Sequence, residues 1–81
     1  MTEEDIIHTF GEGVLLATGL NEAIIGIDRP SDRIIYSVKK IITILMTRDG
    51  MTEEEALEYY DYNIEGGYVG EQTPIWCYDL H

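Results

Sequence analysis

Apolar and polar positions alternate most regularly in the middle of the chain. Four apolar residues there recur at i, i+3, i+4 and i+7, the spacing of one buried helical face: Val38, Ile41, Ile42 and Leu45. The hydroxyl of Ser37, just before them, suits the start of a helix, and Gly50 suits its end. The pattern therefore predicts an amphipathic helix that begins after Ser37 and ends near Gly50.

A second helix is predicted directly afterwards. Thr52 followed by Glu55 forms a capping box, in which the side chain of each residue bonds to the backbone N–H of the other. The helix is expected to run to about Glu65, where Gly66 and Gly67 end it. Its predicted inner face consists of Ala56, Leu57, Tyr60 and Ile64.

Three short segments rich in β-branched or aromatic residues predict strands. Residues 23–27 and 33–36 flank a turn that contains Pro30 and Asp32, which favours a β-hairpin. Residues 74–78 predict a final edge strand, because proline is tolerated at the start or edge of a strand. A two-stranded hairpin is marginally stable alone, so the last strand is expected to join it.

These elements predict one small α+β domain that spans residues 1–81. It would contain a small antiparallel sheet, made of the hairpin and the C-terminal strand, packed against two helices. An additional N-terminal helix is predicted from the acids that follow Thr2 and from the apolar residues Ile6 and Ile7. Residues 11–22 carry no decisive pattern.

Charge is segregated along the chain, whose net charge is −11. Residues 1–28 and 49–81 contain acids but no lysine or arginine, and all five bases lie within residues 29–48. Direct binding to nucleic acid is disfavoured because phosphates require a basic surface, and an anionic membrane is disfavoured for the same reason. No apolar stretch approaches the roughly 20 residues of a membrane span.

The N-terminal residues and the cysteine content indicate a compartment. The acidic start, MTEEDIIHTF, lacks the positive charge with which a signal peptide begins. A single cysteine, Cys77, fits a reducing environment. A cytoplasmic protein is therefore expected.

An acidic row on the second predicted helix is the strongest candidate site. Its members are spaced i, i+4, i+7 and i+11, within one sector of a regular helix: Glu54, Glu58, Asp61 and Glu65. Like charges at i, i+4 destabilise a helix by about 0.2–0.5 kcal/mol, and no lysine or arginine lies between them to offset this cost. The row is interpreted either as a face that binds a basic groove, in the manner of nucleic-acid phosphates, or as an ordinary solvated face.

Tyrosines beside the acidic row form a second candidate feature. Tyr59 and Tyr62 cannot both share the inner face with Tyr60, so at least one of them is expected to be exposed. Tyrosine is a favoured anchor at protein interfaces because it is large, rigid and amphipathic. The alternative is that these aromatic residues belong to the core of a small domain. With the acidic row, Tyr59 and Tyr62 complete the predicted partner-binding site.

Catalysis, metal binding and cofactor binding find little support in the sequence. Acids along a helix diverge, whereas calcium needs oxygens that converge from a loop. The histidines are His8 and His81, and neither forms a zinc set or a catalytic dyad with Cys77 by spacing. Residues 66–70 lack the lysine and the strand–loop–helix setting of a phosphate-binding loop. We therefore expect no catalytic residue, no bound metal and no cofactor.

The C-terminal part of the chain also carries a recognisable motif. Residues 50–76, GMTEEEALEYYDYNIEGGYVGEQTPIW, resemble short acidic proteins of bacteriophages and prophages that carry the pattern EALEYxxYN followed by GxYVGExTPI. The similarity extends upstream to about residue 20. Such proteins have no assigned activity, so the resemblance transfers no functional residue. It implies a small phage gene product that acts in the cytoplasm of a bacterial host.

Two hypotheses about function follow. Under the first, the chain is a non-enzymatic protein that presents the acidic row and the tyrosines to a basic host protein. Small acidic phage proteins commonly resemble inhibitors of host defence, such as anti-CRISPR or anti-restriction proteins, several of which mimic nucleic acid. Under the second, the chain is a structural or accessory protein that self-associates. Its acidic ends would then pair with the basic residues 29–48 of another copy.

Overall fold

The computed structural model of the chain describes residues 16–17, 19–68, 70 and 72–80. Its regular elements are, in chain order, β1 (Ile24–Asp28), β2 (Arg33–Ser37), α1 (Val38–Arg48), α2 (Glu53–Tyr59) and β3 (Ile75–Cys77). A short 3-10 helix, Asn21–Ala23, precedes β1, and a π-helical segment, Tyr60–Glu65, continues α2. The predicted N-terminal helix falls on residues outside the described ranges.

The predicted hairpin is confirmed, since β1 and β2 pair antiparallel. Side chains hold its turn: the Ser31 hydroxyl donates to a carboxylate oxygen of Asp28 over 2.6 Å, and Arg29 lies 3.6 Å from the Asp32 carboxylate. Asp32 has a positive φ of 54°, a conformation that aspartate tolerates better than most residues. The turn residues therefore fix the register of the two strands.

The sheet has the strand order β1-β2-β3, so the last strand joins the hairpin at an edge, as predicted. However, β3 runs parallel to β2, with Ile35 opposite Ile75 and Ser37 opposite Cys77. The α+β class and the two helices are confirmed, but the sheet is mixed and not wholly antiparallel. The reason is the connection: the chain returns to the sheet through both helices, and such a crossover allows parallel pairing, whereas a tight turn does not.

The junction of β2 and α1 contains no loop. Ser37 is both the last residue of β2 and the N-cap of α1, where its hydroxyl oxygen accepts the Lys40 N–H over 3.1 Å. The same hydroxyl donates to the Asp79 carboxylate over 2.8 Å, and Asp79 also accepts the Lys39 N–H over 3.3 Å. The C-terminal tail is thereby attached to the first turn of α1.

The hydrophobic core lies between the sheet and one face of each helix. The buried residues of α1, α2 and the π-helical segment are Val38, Ile41, Leu45, Ala56, Tyr60 and Ile64. From the sheet, Ile34 and Tyr36 of β2 are almost completely buried. The spacing of the apolar residues therefore predicted most of the helical core correctly.

Two residues predicted to be buried lie at the margin of the core. Leu57 is 46% exposed, so its assignment to the inner face of α2 is wrong. The buried neighbour Ala56 faces the core, and the next residue of an α-helix is rotated by about 100° away from it. Ile42 is only partly buried, because the face of α1 that packs against the core is the one that carries Ile41 and Leu45.

The second helix begins as predicted but changes its geometry part-way. The capping box is confirmed, with the Glu55 N–H donating to Thr52 Oγ1 over 3.2 Å and the Thr52 N–H donating to Glu55 Oε1 over 2.9 Å. From Tyr60 the helix is π-helical, and it ends where the Gly66 N–H donates to the Asp61 carbonyl, five residues back, over 3.1 Å. Helical structure thus reaches Glu65, although not as a regular α-helix.

The residues before β1 pack against the strand and helix that follow. The Ala17 N–H donates to the Tyr36 hydroxyl over 2.8 Å, and the Arg48 guanidinium donates to the Gly19 carbonyl over 2.6 Å. Among the described residues, no helix is both long enough and apolar enough to cross a membrane.

Gly67 should be the glycine that tolerates substitution least at the end of the π-helical segment. A Cβ at this position would lie 2.6 Å from the Asn63 carbonyl oxygen, a backbone atom that cannot move aside freely. Gly67→Ala should therefore lower the free energy of unfolding by about 1–3 kcal/mol, measured by urea denaturation.

Gly26→Ala is the matched control for this substitution. A Cβ at Gly26 meets only the end of the Ile35 side chain at 3.9 Å, an ordinary contact. This variant should stay within about 0.5 kcal/mol of the parent protein. Equal stability of the two variants would contradict the proposed steric conflict.

Candidate protein-binding face on the second helix

Three members of the predicted acidic row lie on the exposed surface of α2 and the segment that follows it. Glu54, Glu58 and Asp61 are all exposed. Among the described residues, no lysine or arginine forms an ion pair with any of them. Their charges are therefore not neutralised by side chains of the described part of the chain.

The fourth member of the predicted row, Glu65, is turned away to a different environment. Its carboxylate oxygen Oε1 accepts the Tyr78 hydroxyl over 2.6 Å and the Tyr60 hydroxyl over 3.3 Å. In a π-helical turn, residues five apart are hydrogen-bonded neighbours, which places Glu65 beside Tyr60 and out of line with Glu54 and Glu58. The row predicted for a regular helix is therefore three residues long on the open surface.

The two predicted tyrosines lie beside the row, around a shallow cleft. The cleft has a volume of about 390 Å³ and is lined by Met51, Glu55, Glu58, Tyr59, Tyr62 and Asn63. Tyr59 is 42% exposed and Tyr62 is 82% exposed, which confirms that these rings are not core residues. The helix thus brings together Glu58, Tyr59 and Tyr62 of the predicted site. We call this feature the acid–tyrosine cleft.

The chemistry of the acid–tyrosine cleft suits a cationic side chain. Two carboxylates, those of Glu55 and Glu58, line a space that also has two phenol rings. Carboxylates form charge-assisted hydrogen bonds with arginine or lysine, and the face of a tyrosine ring attracts a cation by about 0.5–1 kcal/mol at an exposed site. An arginine or lysine of a partner would meet both kinds of group in one place.

Glu55 is a cleft residue that the sequence pattern did not single out. Its carboxylate already accepts the Thr52 N–H through Oε1, so it appeared only as a helix cap. The spacing of the two residues indicates that Glu55 lies next to Tyr59, because residues four apart are on the same side of a helix. Met51 and Asn63 also line the cleft, and no sequence pattern indicates this.

Three of the five basic residues lie on α1. Lys39 and Lys40 are exposed on α1. Arg48 pairs with Asp49 over 3.0 Å, and this hydrogen bond raises the pKa of Arg48 and lowers the pKa of Asp49. Asp49 is therefore a paired acid.

An aromatic cluster holds the π-helical segment against the sheet. Trp76 of β3 contacts Tyr36, Tyr60 and Tyr68, with ring centroids 5.4, 6.0 and 5.8 Å apart. Tyr60 also meets Tyr78 edge-on at 6.2 Å. These aromatic residues are part of the core or its margin, in contrast to Tyr59 and Tyr62. The cluster fixes the end of the helix that carries the cleft.

Within the described residues, no group of three or more histidine, cysteine, aspartate or glutamate side chains is arranged to hold a metal ion. The Cys77 thiol is half-buried in β3.

No protein-family model matches the chain, and comparison with curated protein sequences and with solved structures gave no match.

Stability should fall above about pH 10, where the unfolded chain releases the phenol protons of Tyr60 and Tyr78 while the folded protein still holds them. Burial is the main cause that raises the pKa of Tyr60, and the hydrogen bond to Glu65 raises the pKa of Tyr78. A raised pKa in the folded protein stabilises it below the ordinary value of about 10, and this contribution is lost as the pH rises through the folded values. Urea denaturation should show constant stability from about pH 8 to about pH 9 for this contribution, and the beginning of its loss between about pH 10 and about pH 11.

Two variants check the origin of the alkaline effect. Tyr60→Phe should make the free energy of unfolding fall less steeply with pH, because it removes the buried phenol. Tyr62→Phe removes an exposed phenol and should leave the slope as in the parent protein. A slope that is the same in all three proteins would contradict the assignment to Tyr60.

Proposed function

We propose that this chain is a non-enzymatic binding protein whose α2 face contacts a basic surface of another protein. The observation that carries the proposal is the acid–tyrosine cleft, where Tyr59 and Tyr62 lie open beside Glu55 and Glu58. Rigid aromatic anchors beside carboxylates are typical of interfaces that take up arginine or lysine.

The charge distribution supports the same proposal. After Arg48 the chain contains nine acids and no lysine or arginine, so this part of the chain is strongly negative. Such a field attracts a positively charged partner and increases the rate of encounter, most strongly at low salt. Glu54, Glu58 and Asp61 form no ion pair within the described residues, so a partner that binds them breaks no such pair.

The acidic row also fits the idea that the protein occupies a nucleic-acid site of its partner. Glu54 and Glu58 are four residues apart on α2, about 6 Å along the axis, and Asp61 follows three residues later in the π-helical segment. Negative charges at regular intervals are what a nucleic-acid backbone presents to a basic protein groove. The resemblance to short acidic phage proteins directs the search to host proteins of a bacterium, including its defence nucleases. Inhibition in the anti-CRISPR or anti-restriction manner belongs to this proposal.

Reversing two charges of the row should abolish the interaction. Glu58→Lys with Asp61→Lys should lower partner retention at least about tenfold in pull-downs from bacterial lysate, because the changed face repels a basic surface. Retention by the parent protein should weaken as salt is raised from about 0.05 to about 0.5 M. Both changes are at exposed positions, so circular dichroism should show an unchanged fold.

Glu22→Lys is the control for the charge reversal. Glu22 is an exposed acid of the 3-10 helix, away from α2 in the sequence. This variant should retain the partner like the parent protein. If the double reversal retains the partner as well, the acidic face is only a solvated surface.

Self-association is the second candidate function, favoured by the separation of charge on the surface. Lys39 and Lys40 are exposed on α1, while the unpaired acids lie on α2. The basic side of one copy would then meet the acidic side of another. Sedimentation velocity at several concentrations and salt levels should reveal a dimer that dissociates at high salt. A monomer under all conditions would exclude this candidate.

A further inference from the structure

A second open surface lies on the opposite flank of α2 from the acid–tyrosine cleft. It is a groove of about 400 Å³ between α1, α2 and the C-terminal tail. Leu57 lines it from α2, and Tyr59, only two residues on, lines the cleft. Residues two apart project about 200° from one another on an α-helix, so the two surfaces are separate.

Most of the groove wall is apolar. The apolar residues come from three parts of the fold: Val38, Ile42, Met46, Leu57 and Tyr78. Leu57 is 46% exposed, Met46 38% and Tyr78 59%, so their side chains are open to solvent as one group. Exposed apolar residues that adjoin each other around a groove are typical of binding sites, whereas single ones are common on any surface. Met46 adds a flexible side chain that adapts to a partner.

The walls of the groove determine what backbone its occupant has. Two of its walls are the helices α1 and α2, whose interior N–H and C=O groups bond within each helix, and the tail supplies only Tyr78 and Asp79. An extended peptide therefore finds fewer backbone partners there than along the edge of a sheet. A helical occupant needs none, because its backbone groups bond to one another. A helix that inserts apolar side chains at i, i+3 or i+4 and i+7 matches this kind of groove.

Charged residues at the rim of the groove indicate which charge an occupying helix should carry on its flanks. Glu53 and Asp79 line the groove, and Lys39 is the base that lines it. Asp79 already accepts hydrogen bonds from Ser37 and from the Lys39 backbone N–H, and these bonds lower its pKa, so it stays negative. The groove lining thus carries two acids and one base. The rim is acidic overall and complements a basic partner.

We propose that this groove binds an amphipathic helix of another protein, with an apolar stripe and lysine or arginine on both flanks. The apolar stripe contacts Ile42, Met46 and Leu57, and the basic flanks face the acidic rim. The inference goes beyond the function proposed above and does not depend on the acid–tyrosine cleft. It assigns a helical partner to a surface that the acidic row does not include.

A designed peptide tests the inference directly. The probe is a fluorescent helix of about 18 residues, or five turns, with a leucine stripe flanked by lysines. Two matched peptides carry serine for leucine, or glutamate for lysine. Fluorescence anisotropy should show that the leucine–lysine peptide binds at least about tenfold more tightly than either matched peptide. Amide chemical-shift changes should concentrate at Ile42, Met46 and Leu57.

The chain offers a matched pair of variants for the same experiment. Leu57 and Ile25 are each 46% exposed, but Leu57 lines the groove and Ile25 lies on β1. Leu57→Gln should weaken the leucine–lysine peptide about tenfold, and Ile25→Gln should leave its affinity unchanged. Both variants should fold, because neither side chain is buried, and circular dichroism checks this.

Three results would overturn the inference. Equal binding of the serine-substituted peptide would mean that only charge attracts the probe. Equal affinity of the Leu57→Gln and Ile25→Gln variants would mean that the groove is not the site. A dimer that Leu57→Gln converts to a monomer would mean that a second copy of this chain covers the groove.

The same probe separates this inference from the function proposed above. The Glu58→Lys and Asp61→Lys double variant should still prefer the leucine–lysine peptide to the serine-substituted one, because the groove wall is unchanged. If the double variant loses the host partner but keeps this peptide preference, both proposals are supported. If the double variant still retains the host partner, only the proposal about the acidic face is contradicted. If the parent protein shows no preference between the two peptides, only the proposal about the groove is contradicted.

Discussion

The hydroxyl of Ser37 joins three parts of the protein at one point. It accepts the Lys40 N–H at the start of α1 and donates to the Asp79 carboxylate, 42 residues further along the chain. Ser37 is fully buried, ends the central strand and pairs with Cys77 of the last strand. Since an unpaired buried hydroxyl is costly, the helix start and the C-terminal tail have to stay together. Without a loop between β2 and α1, the sheet also sets the direction in which α1 leaves it.

The change from α-helix to π-helix at Tyr60 divides the acidic face. It allows Glu65 to meet the hydroxyls of Tyr60 and Tyr78, so this acid supports the aromatic cluster and does not face solvent with the others. The cluster around Trp76 in turn holds the π-helical end of the helix to the sheet. The exposed positions of Tyr59 and Tyr62 follow from this arrangement, because Tyr60 and Ile64 take the buried side. A rigidly held helix end makes a suitable base for a binding surface.

The second helix separates two chemically different surfaces. One flank carries carboxylates and open tyrosine rings, and the other carries Leu57 above an apolar groove. Acids border both flanks, and no lysine or arginine follows Arg48 in the chain. Each surface therefore favours a positively charged partner, but the cleft suits single cationic side chains, whereas the groove suits the apolar face of a helix.

The sequence by itself determined the elements whose signals are local. The spacing of Val38, Ile41 and Leu45, the capping box at Thr52 and the turn after β1 required no knowledge of distant residues. It also determined that one helix carries the acids and exposes at least one tyrosine. Only the tertiary structure decided the parallel direction of β3, because pairing across a long crossover has no local signal.

The tertiary structure likewise decided the site's final shape. Glu65 belongs to the acidic row only if each residue turns the helix by about 100°. This condition is not met in the π-helical segment, where Tyr60 contacts Trp76 and Tyr78. Leu57 lies in a groove because α1 and the tail stand beside it, and not because of its own spacing. Periodicity gives the direction of a side chain from its own helix, whereas burial depends on which other elements pack there.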